Sequence, residues 1–126
     1  MNKEIVYIFL GGGIGSTLRY AVQLLLHERI VPYNFPWSTF GVNLLGSFLI
    51  GLFYALSERF HFSAEFRLAL TTGLCGGFTT FSTFSNDSLS LLKGDFYGTF
   101  FLYVFLSIGF GLLAVFAGGY AGKQLF

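Results

Sequence analysis

The stretch GGFTTFSTFS, residues 76–85, lies in the middle of the third of four apolar segments in this chain. It contains two glycines, three threonines, two serines and three phenylalanines. Glycine and hydroxyl-bearing or β-branched residues are poor helix formers, so the stretch favours a break in an otherwise helical segment. Irregular backbone at membrane depth occurs only where it is buried in protein or lines a water-filled cavity. We therefore predict a binding or conduction element; the alternative is an intact helix whose hydroxyls bond back to the preceding turn.

The composition indicates one membrane domain spanning residues 1–126. Hydrophobic residues make up 54% of the chain and charged residues only 10%, against about 25% charged in a typical soluble domain. A chain of this size has too little interior to bury so much apolar surface. The net charge of +1 provides no field that would attract nucleic acid. The single cysteine, Cys75, excludes an intrachain disulfide.

The four apolar segments each approach the ~20 residues that cross the hydrocarbon core of a bilayer. They run over residues 5–26, 37–56, 68–92 and 97–121. Because no water is present at that depth to satisfy backbone groups, each segment is predicted to be helical. The predicted fold class is an all-α, multi-pass membrane protein with four transmembrane helices and a break in the third.

The positive charges that flank these segments are nearly balanced between the two sides of the membrane. Lys3, Arg59, Arg67 and Lys123 lie on one side, and Arg29 and Lys93 lie on the other. Positive residues favour the cytoplasmic side, so the excess only weakly favours termini inside. A chain with so little bias can insert in either orientation, which permits an antiparallel dimer of one sequence.

Glycine spacing predicts close helix packing. Three pairs of glycines have the four-residue spacing that lets helices approach closely. They are Gly11/Gly15, Gly73/Gly77 and Gly118/Gly122.

Two polar residues within the predicted helices are candidates for function. Arg19 follows GGGIGSTL in the first segment, where an arginine at the helix centre costs about 2.5–3.5 kcal/mol on insertion scales. It either anchors the helix at the headgroups or faces a solute. Asn43 in the second segment either bonds across a helix interface or lines a wet cavity, and the hydroxyl-rich third segment favours the second role. No motif of a metalloprotease, dithiol, P-loop or serine hydrolase accompanies them, so an enzyme is not expected.

The third and fourth segments add aromatic and hydroxyl side chains. Phe81 and Phe84 are three residues apart and share one face of a helix, with Ser82 and Thr83 beside them. Aromatic rings have a positive edge, so rings next to hydroxyl donors can accept an anion without trapping it, as conduction requires. As plain core residues, the phenylalanines would only fill space.

A further pair of hydroxyls lies on the fourth segment. Tyr103 and Ser107 are four residues apart and share a helix face. They either extend a polar track or form isolated bonds between helices.

Three motifs resemble the Fluc fluoride channels, the CrcB-type proteins. They are GLCGGFTTFSTFS at 73–85, WSTFGVNLLGSFLIG at 37–51 and GGGIGSTLRY at 11–20. The resemblance covers length, the four segments and motifs in the first three. It implies a dual-topology homodimer of antiparallel subunits in the plasma (inner) membrane, with two pores along the dimer interface. It also implies passive, selective efflux of fluoride, which protects the cell from fluoride toxicity.

The resemblance also implies roles for individual residues. Phe81 and Phe84 would be the rings that face fluoride, and Asn43 an amide lining the pore. A structural sodium ion at the dimer centre would be held by backbone carbonyls of Gly76 and Thr79 from each subunit. Four further residues would belong to the pathway, although the match on the fourth segment weakens at Gly111, where a serine is expected. These are Arg19 near the vestibule, Ser82 and Thr83 in the same block, and Tyr103 with Ser107 on the polar track.

Two other classes of protein share some of these features. A small four-helix, dual-topology exporter of toxic compounds has a similar length but needs a membrane-buried carboxylate for proton exchange. Asp87 is the one carboxylate within a predicted segment, and it lies towards the end of the third. For a structural subunit without transport the glycine pairs would suffice, but this interpretation leaves the hydroxyl-rich stretch without a purpose.

Overall fold

The computed structural model describes residues 2–27 and 35–124, and these form an all-helical protein. Its elements are α1 (Lys3–His27), α2 (Trp37–Phe60), α3 (Ala64–Leu68), a π-helical segment (Ala69–Cys75), α4 (Gly76–Phe78), α5 (Phe81–Lys93) and α6 (Tyr97–Gln124). Among the described residues, α1, α2 and α6 are long and apolar enough to cross a membrane. The third predicted segment is helical too, but it is divided into α3, the π segment, α4 and α5. Arg29, which entered the charge comparison, lies outside the described residues.

The helices extend further into the polar breaks than the sequence predicted. The second segment was predicted to end near residue 56, but α2 continues to Phe60. It ends where His61 adopts a left-handed conformation (φ 56°) and donates its amide to the carbonyl of Ser57. Ser63 then caps α3 by accepting a bond of 3.1 Å from the amide of Phe66. Charged residues end an apolar segment, but they do not end a helix that continues into the headgroup region.

The connection between α5 and α6 is a tight helix stop. Asp95 has a positive φ of 62°, and the amide of Phe96 donates to the carbonyl of Leu91 at 2.9 Å. The amide of Asp95 donates to Leu92 at 3.1 Å, which completes a Schellman pattern. Leu91 is buried and Phe96 packs against its cluster, as this motif favours.

The helices pack in two close pairs, and glycines lie at both contacts. α1 lies against the π segment and α4, whereas α2 lies along α6. A Cβ atom on Gly15 would collide with the carbonyl oxygen of Leu74, and one on Gly118 with the carbonyl oxygen of Phe48. The spacing of the predicted glycine pairs therefore corresponds to helix contacts too close for any side chain.

The interior is small, and most of the apolar surface faces outwards. Its centre is a cluster formed by Phe35, Phe40, Leu91 and the fully buried Tyr103. On α1 and α6, by contrast, large side chains such as Phe9, Phe105 and Phe116 are exposed. In water this surface would be unfavourable, but a bilayer or a second protein chain solvates it.

Candidate functional site

The helical backbone breaks at Thr79 and Thr80. α4 ends at Phe78, after which Thr79 (φ −87°, ψ 162°) and Thr80 (φ −153°, ψ 122°) are extended. α5 begins at Phe81, and the hydroxyl of Thr80 accepts a bond of 3.2 Å from the amide of Thr83. Thr80 is therefore the N-cap of α5. The break predicted from residues 76–85 is present and falls between the glycine pair and the phenylalanines.

Asn43 on α2 binds the broken backbone through both ends of its amide. Its Oδ1 accepts a bond of 2.8 Å from the amide of Thr80, and its Nδ2 donates a bond of 3.2 Å to the carbonyl of Thr80. This paired geometry copies the way one extended strand bonds to another. Asn43 also lines the cavity at the break, so the interhelical bond and the cavity position, which the sequence left as alternatives, occur together.

Two backbone carbonyls just before the break each accept a hydrogen bond from a side chain. The carbonyl of Cys75 accepts from both the amide and the hydroxyl of Thr79, at 3.0 and 2.9 Å. The carbonyl of Gly77 accepts a bond of 3.0 Å from Nε of Arg19. Because helix C-termini carry partial negative charge, this cation stabilises the end of α4. Arg19 therefore anchors α1 to the break, rather than to the headgroups alone.

A π-helical segment precedes the break. It extends over Ala69–Cys75, and the hydroxyl of buried Thr71 donates to the carbonyl of Arg67 at 2.8 Å. π-Helical turns are rare and often lie near functional sites. Sequence reasoning did not identify it, since no residue type distinguishes this helix from its α counterpart.

A cavity of about 370 Å³ opens beside the break. It brings together residues from α2, the third segment and α6. Its lining consists of Asn43, Gly46, Ser47, Ile50, Cys75, Gly76, Thr79, Thr80, Phe81, Phe84, Ser107 and Ile108. Six of the residues predicted from the sequence are in this set: Asn43, Gly76, Thr79, Phe81, Phe84 and Ser107.

The two phenylalanine rings form one wall of the cavity. Their centroids are 5.8 Å apart, and their planes are tilted by 40°. Phe84 is half-buried and packs against the ring of Tyr103, with a centroid distance of 5.0 Å. Phe81, in contrast, is 78% exposed in the single chain. One ring is thus held by the core, while the other projects from it.

Ser107 lines the cavity and carries a hydroxyl without a partner among the residues that the structure describes. Its Oγ is buried, and no hydrogen-bond partner for it is found among residues 2–27 and 35–124. A buried hydroxyl without a partner is energetically unfavourable. Ser107 therefore combines a place in the cavity lining with a hydroxyl that has no partner among the described residues.

Three other residues predicted for the pathway lie near the cavity but are not among its described lining residues. They are Ser82, Thr83 and Tyr103. The hydroxyls of Ser82 and Thr83 lie 3.3 and 3.2 Å from the hydroxyl of Thr80. Tyr103 is fully buried, and its hydroxyl donates to Oδ2 of Asp87 at 3.2 Å. Tyr103 and Ser107 share a helix, but of these two hydroxyls only that of Tyr103 has a partner among the described residues.

Sequence reasoning assigned no site role to Asp87. It lies one helical turn beyond Phe84 on α5. In the sequence, the one indication of a role for Asp87 is that a carboxylate stands within an apolar segment. The hydroxyl of Tyr103 satisfies one of its oxygens, and Tyr103 in turn supports the ring of Phe84. Asp87 is thus connected to the cavity wall by a chain of contacts through Tyr103 and Phe84.

Comparison with known proteins identifies the family. The family described as "CrcB-like protein, Camphor Resistance (CrcB)" matches residues 6–119. The chain belongs to this family. The recognised resemblance is therefore confirmed.

Close relatives are named as fluoride channels. The "Fluoride-specific ion channel FluC" of Bacteroides fragilis is 64% identical over 124 residues, covering 97% of this chain and 98% of that protein. The protein of the same name from Phocaeicola vulgatus is 53% identical, covering 92% and 95%. That from Leptospira interrogans serogroup Icterohaemorrhagiae is 45% identical, covering 93% and 92%. These relatives are named as channels, in keeping with the expectation that the chain is not an enzyme.

Proposed function

We propose that this chain is a fluoride-specific ion channel that allows passive fluoride efflux across the plasma membrane and so protects the cell from fluoride. The observation that carries the proposal is the wall formed by Phe81 and Phe84, beside a backbone break that Asn43 holds open. The names of relatives up to 64% identical support the same ion.

The cavity offers fluoride neutral ligands in place of its water shell. The positive edges of the two rings attract an anion without a full charge. The hydroxyl of Ser107 has no partner among residues 2–27 and 35–124, and Asn43 uses one of its two Nδ2 hydrogens on Thr80. Ligands of this kind bind an ion weakly enough to release it, which rapid conduction requires. A larger, less strongly hydrated chloride gains less from these small donors.

The other pathway residues have supporting positions in this proposal. Arg19 attracts anions towards the vestibule while its Nε stays on Gly77. Ser82 and Thr83 continue the hydroxyls beyond Thr80. Tyr103 lies behind Phe84 on the same polar track as Ser107.

The proposed assembly is an antiparallel homodimer with two pores at the subunit interface. The exposure of Phe81, at 78%, supports it, because a ring that lines a pore needs a second wall. The apolar faces of α1 and α6 leave ample surface for both a partner and lipid. The near balance of flanking charges permits insertion in both orientations.

The backbone carbonyl oxygens at the break are suitable ligands for a structural sodium ion at the dimer centre. Hard cations prefer oxygen ligands, including backbone carbonyls. Gly76 and Thr79 both line the cavity, and Gly76 is exposed in the single chain, where a partner's carbonyls can complete the coordination. When bound, the ion would supply a fixed positive charge that joins the two broken helices.

The direct test is anion efflux from liposomes that contain the purified protein, followed with fluoride and chloride electrodes together. We expect rapid fluoride loss without chloride loss. An imposed pH gradient should change the flux only through the equilibrium between fluoride and hydrofluoric acid, whereas a proton-coupled exporter would follow the gradient. No flux of either ion from folded, dimeric protein would overturn the proposal and favour a structural subunit.

A further inference from the structure

We propose that Asn43 and Thr80 are positioning residues for the central cation. They capture the two backbone amides that would otherwise cover the carbonyl oxygens of Gly76 and Thr79, and so make these oxygens available to a cation. The inference rests on the proposed sodium ion and assigns the residues that create its ligands.

In a continuous helix, the carbonyls of Gly76 and Thr79 would both accept backbone hydrogen bonds. In an α-helix, the amide of each residue donates to the carbonyl four residues earlier. The amide of Thr80 would therefore pair with the carbonyl of Gly76, and the amide of Thr83 with that of Thr79. Either bond would use lone pairs that a cation needs.

Both amides donate elsewhere in the structure. The amide of Thr80 donates to Oδ1 of Asn43 at 2.8 Å. The amide of Thr83 donates to the hydroxyl of Thr80 at 3.2 Å. One side chain on α2 and one at the N-cap of α5 therefore divert the two donors that would otherwise cover these carbonyls.

Three other carbonyls at the break accept hydrogen bonds from identified donors. The carbonyl of Cys75 receives two bonds from Thr79, and that of Gly77 receives Nε of Arg19. The carbonyl of Thr80 receives Nδ2 of Asn43. A carbonyl without a donor at membrane depth is energetically unfavourable. The carbonyls of Gly76 and Thr79, whose helical donors are diverted, therefore point to a ligand. Because a carbonyl oxygen attracts positive charge, we expect that ligand to be a cation.

The chemistry of the two side chains is specific. Asparagine offers an acceptor and a donor on one short side chain, so it pairs with both backbone groups of Thr80 and holds that residue extended. Leucine has a similar size but neither group. At position 80, serine keeps the capping hydroxyl, whereas valine keeps the shape of threonine and loses it. These substitutions separate hydrogen bonding from packing.

The test measures cation binding rather than fluoride flux. Purified protein is titrated with sodium chloride, with N-methylglucamine chloride keeping the ionic strength constant, and the melting temperature and retention of ²²Na⁺ are followed. We expect saturable stabilisation of the wild type. Asn43→Leu and Thr80→Val should each weaken apparent sodium affinity by about tenfold, the usual effect of losing one hydrogen-bonding group. Thr80→Ser should bind like the wild type.

Ser47→Ala is the matched control, because Ser47 lines the same cavity but takes neither amide. Wild-type sodium affinity in both Asn43→Leu and Thr80→Val would overturn the inference. Should Asn43→Leu not fold, the comparison between Thr80→Val and Thr80→Ser decides alone. A wild type without sodium-dependent stabilisation would overturn both the cation and this inference. Fluoride efflux of the same sample, measured separately, would then show whether channel function stands.

Discussion

The hydrogen bond between Tyr103 and Asp87 allows the energetic effect of burial to be tested, because the chain contains a second tyrosine–aspartate hydrogen bond of nearly the same length. The hydroxyl of Tyr103 donates to Asp87 at 3.2 Å in the core, and that of Tyr97 donates to Asp95 at 3.1 Å on the surface. Tyr103 is fully buried, whereas Tyr97 is 54% exposed. The two bonds therefore differ in burial, and also in that the first joins α5 to α6 whereas the second is local.

Replacing each tyrosine by phenylalanine removes one hydroxyl and leaves the ring. In Tyr103→Phe the half-buried Asp87 loses a donor that water replaces poorly, which should lower the free energy of unfolding by about 1–3 kcal/mol. In Tyr97→Phe water replaces the lost partner, so the change should stay within about 0.5 kcal/mol. Loss of the buried Tyr103 hydroxyl should also make the ring of Phe84 more mobile, because that ring packs against Tyr103.

The assay is unfolding of the purified proteins in one detergent, with fluoride efflux measured on the same samples. A double-mutant cycle of Tyr103→Phe, Asp87→Ala and the two together isolates the coupling between the two groups. Equal stability of Tyr103→Phe and Tyr97→Phe would refute the reasoning, since it would mean that burial of the bond has no energetic effect.

Three further predictions concern other contacts of the site. Gly15→Ala should destabilise the protein by about 1–3 kcal/mol in thermal unfolding, because its Cβ would strike the backbone of Leu74. Gly13→Ala, where the structure shows open space, should not destabilise it. Equal losses of stability in the two variants would contradict the close packing at Gly15. Arg19→Met should lower stability by about 0.3–2 kcal/mol through loss of its contact with a helix C-terminus, and an unchanged melting temperature would argue against the anchor. Ser107→Ala should slow fluoride efflux with little loss of stability, since its hydroxyl has no partner among the described residues; unchanged efflux would remove it from the pathway.

The sequence predicted those features that depend on local chemistry. Four apolar segments appear as helices because length and hydropathy are local properties, and the break follows from glycine and threonine at residues 76–80. The shared face of Phe81 and Phe84 followed from helical spacing and is found in the cavity wall.

Features that depend on contacts between distant segments were beyond sequence reasoning. The partner of Asn43 is Thr80, and the partner of Arg19 is Gly77; both are backbone groups, which carry no residue signature. The same holds for Asp87, whose importance arises only when α5 and α6 bring Tyr103 beside it.

In the proposed mechanism, fluoride passes the rings of Phe81 and Phe84 at the helix break. The most direct test is fluoride efflux from liposomes containing Phe81→Ile, Phe84→Ile or the control Phe116→Ile. Phe116 on α6 is also 78% exposed, and it is not among the described residues that line the cavity. We expect efflux to fall strongly in the first two variants and to remain at the wild-type rate in the control. Wild-type efflux in both Phe81→Ile and Phe84→Ile would contradict the claim.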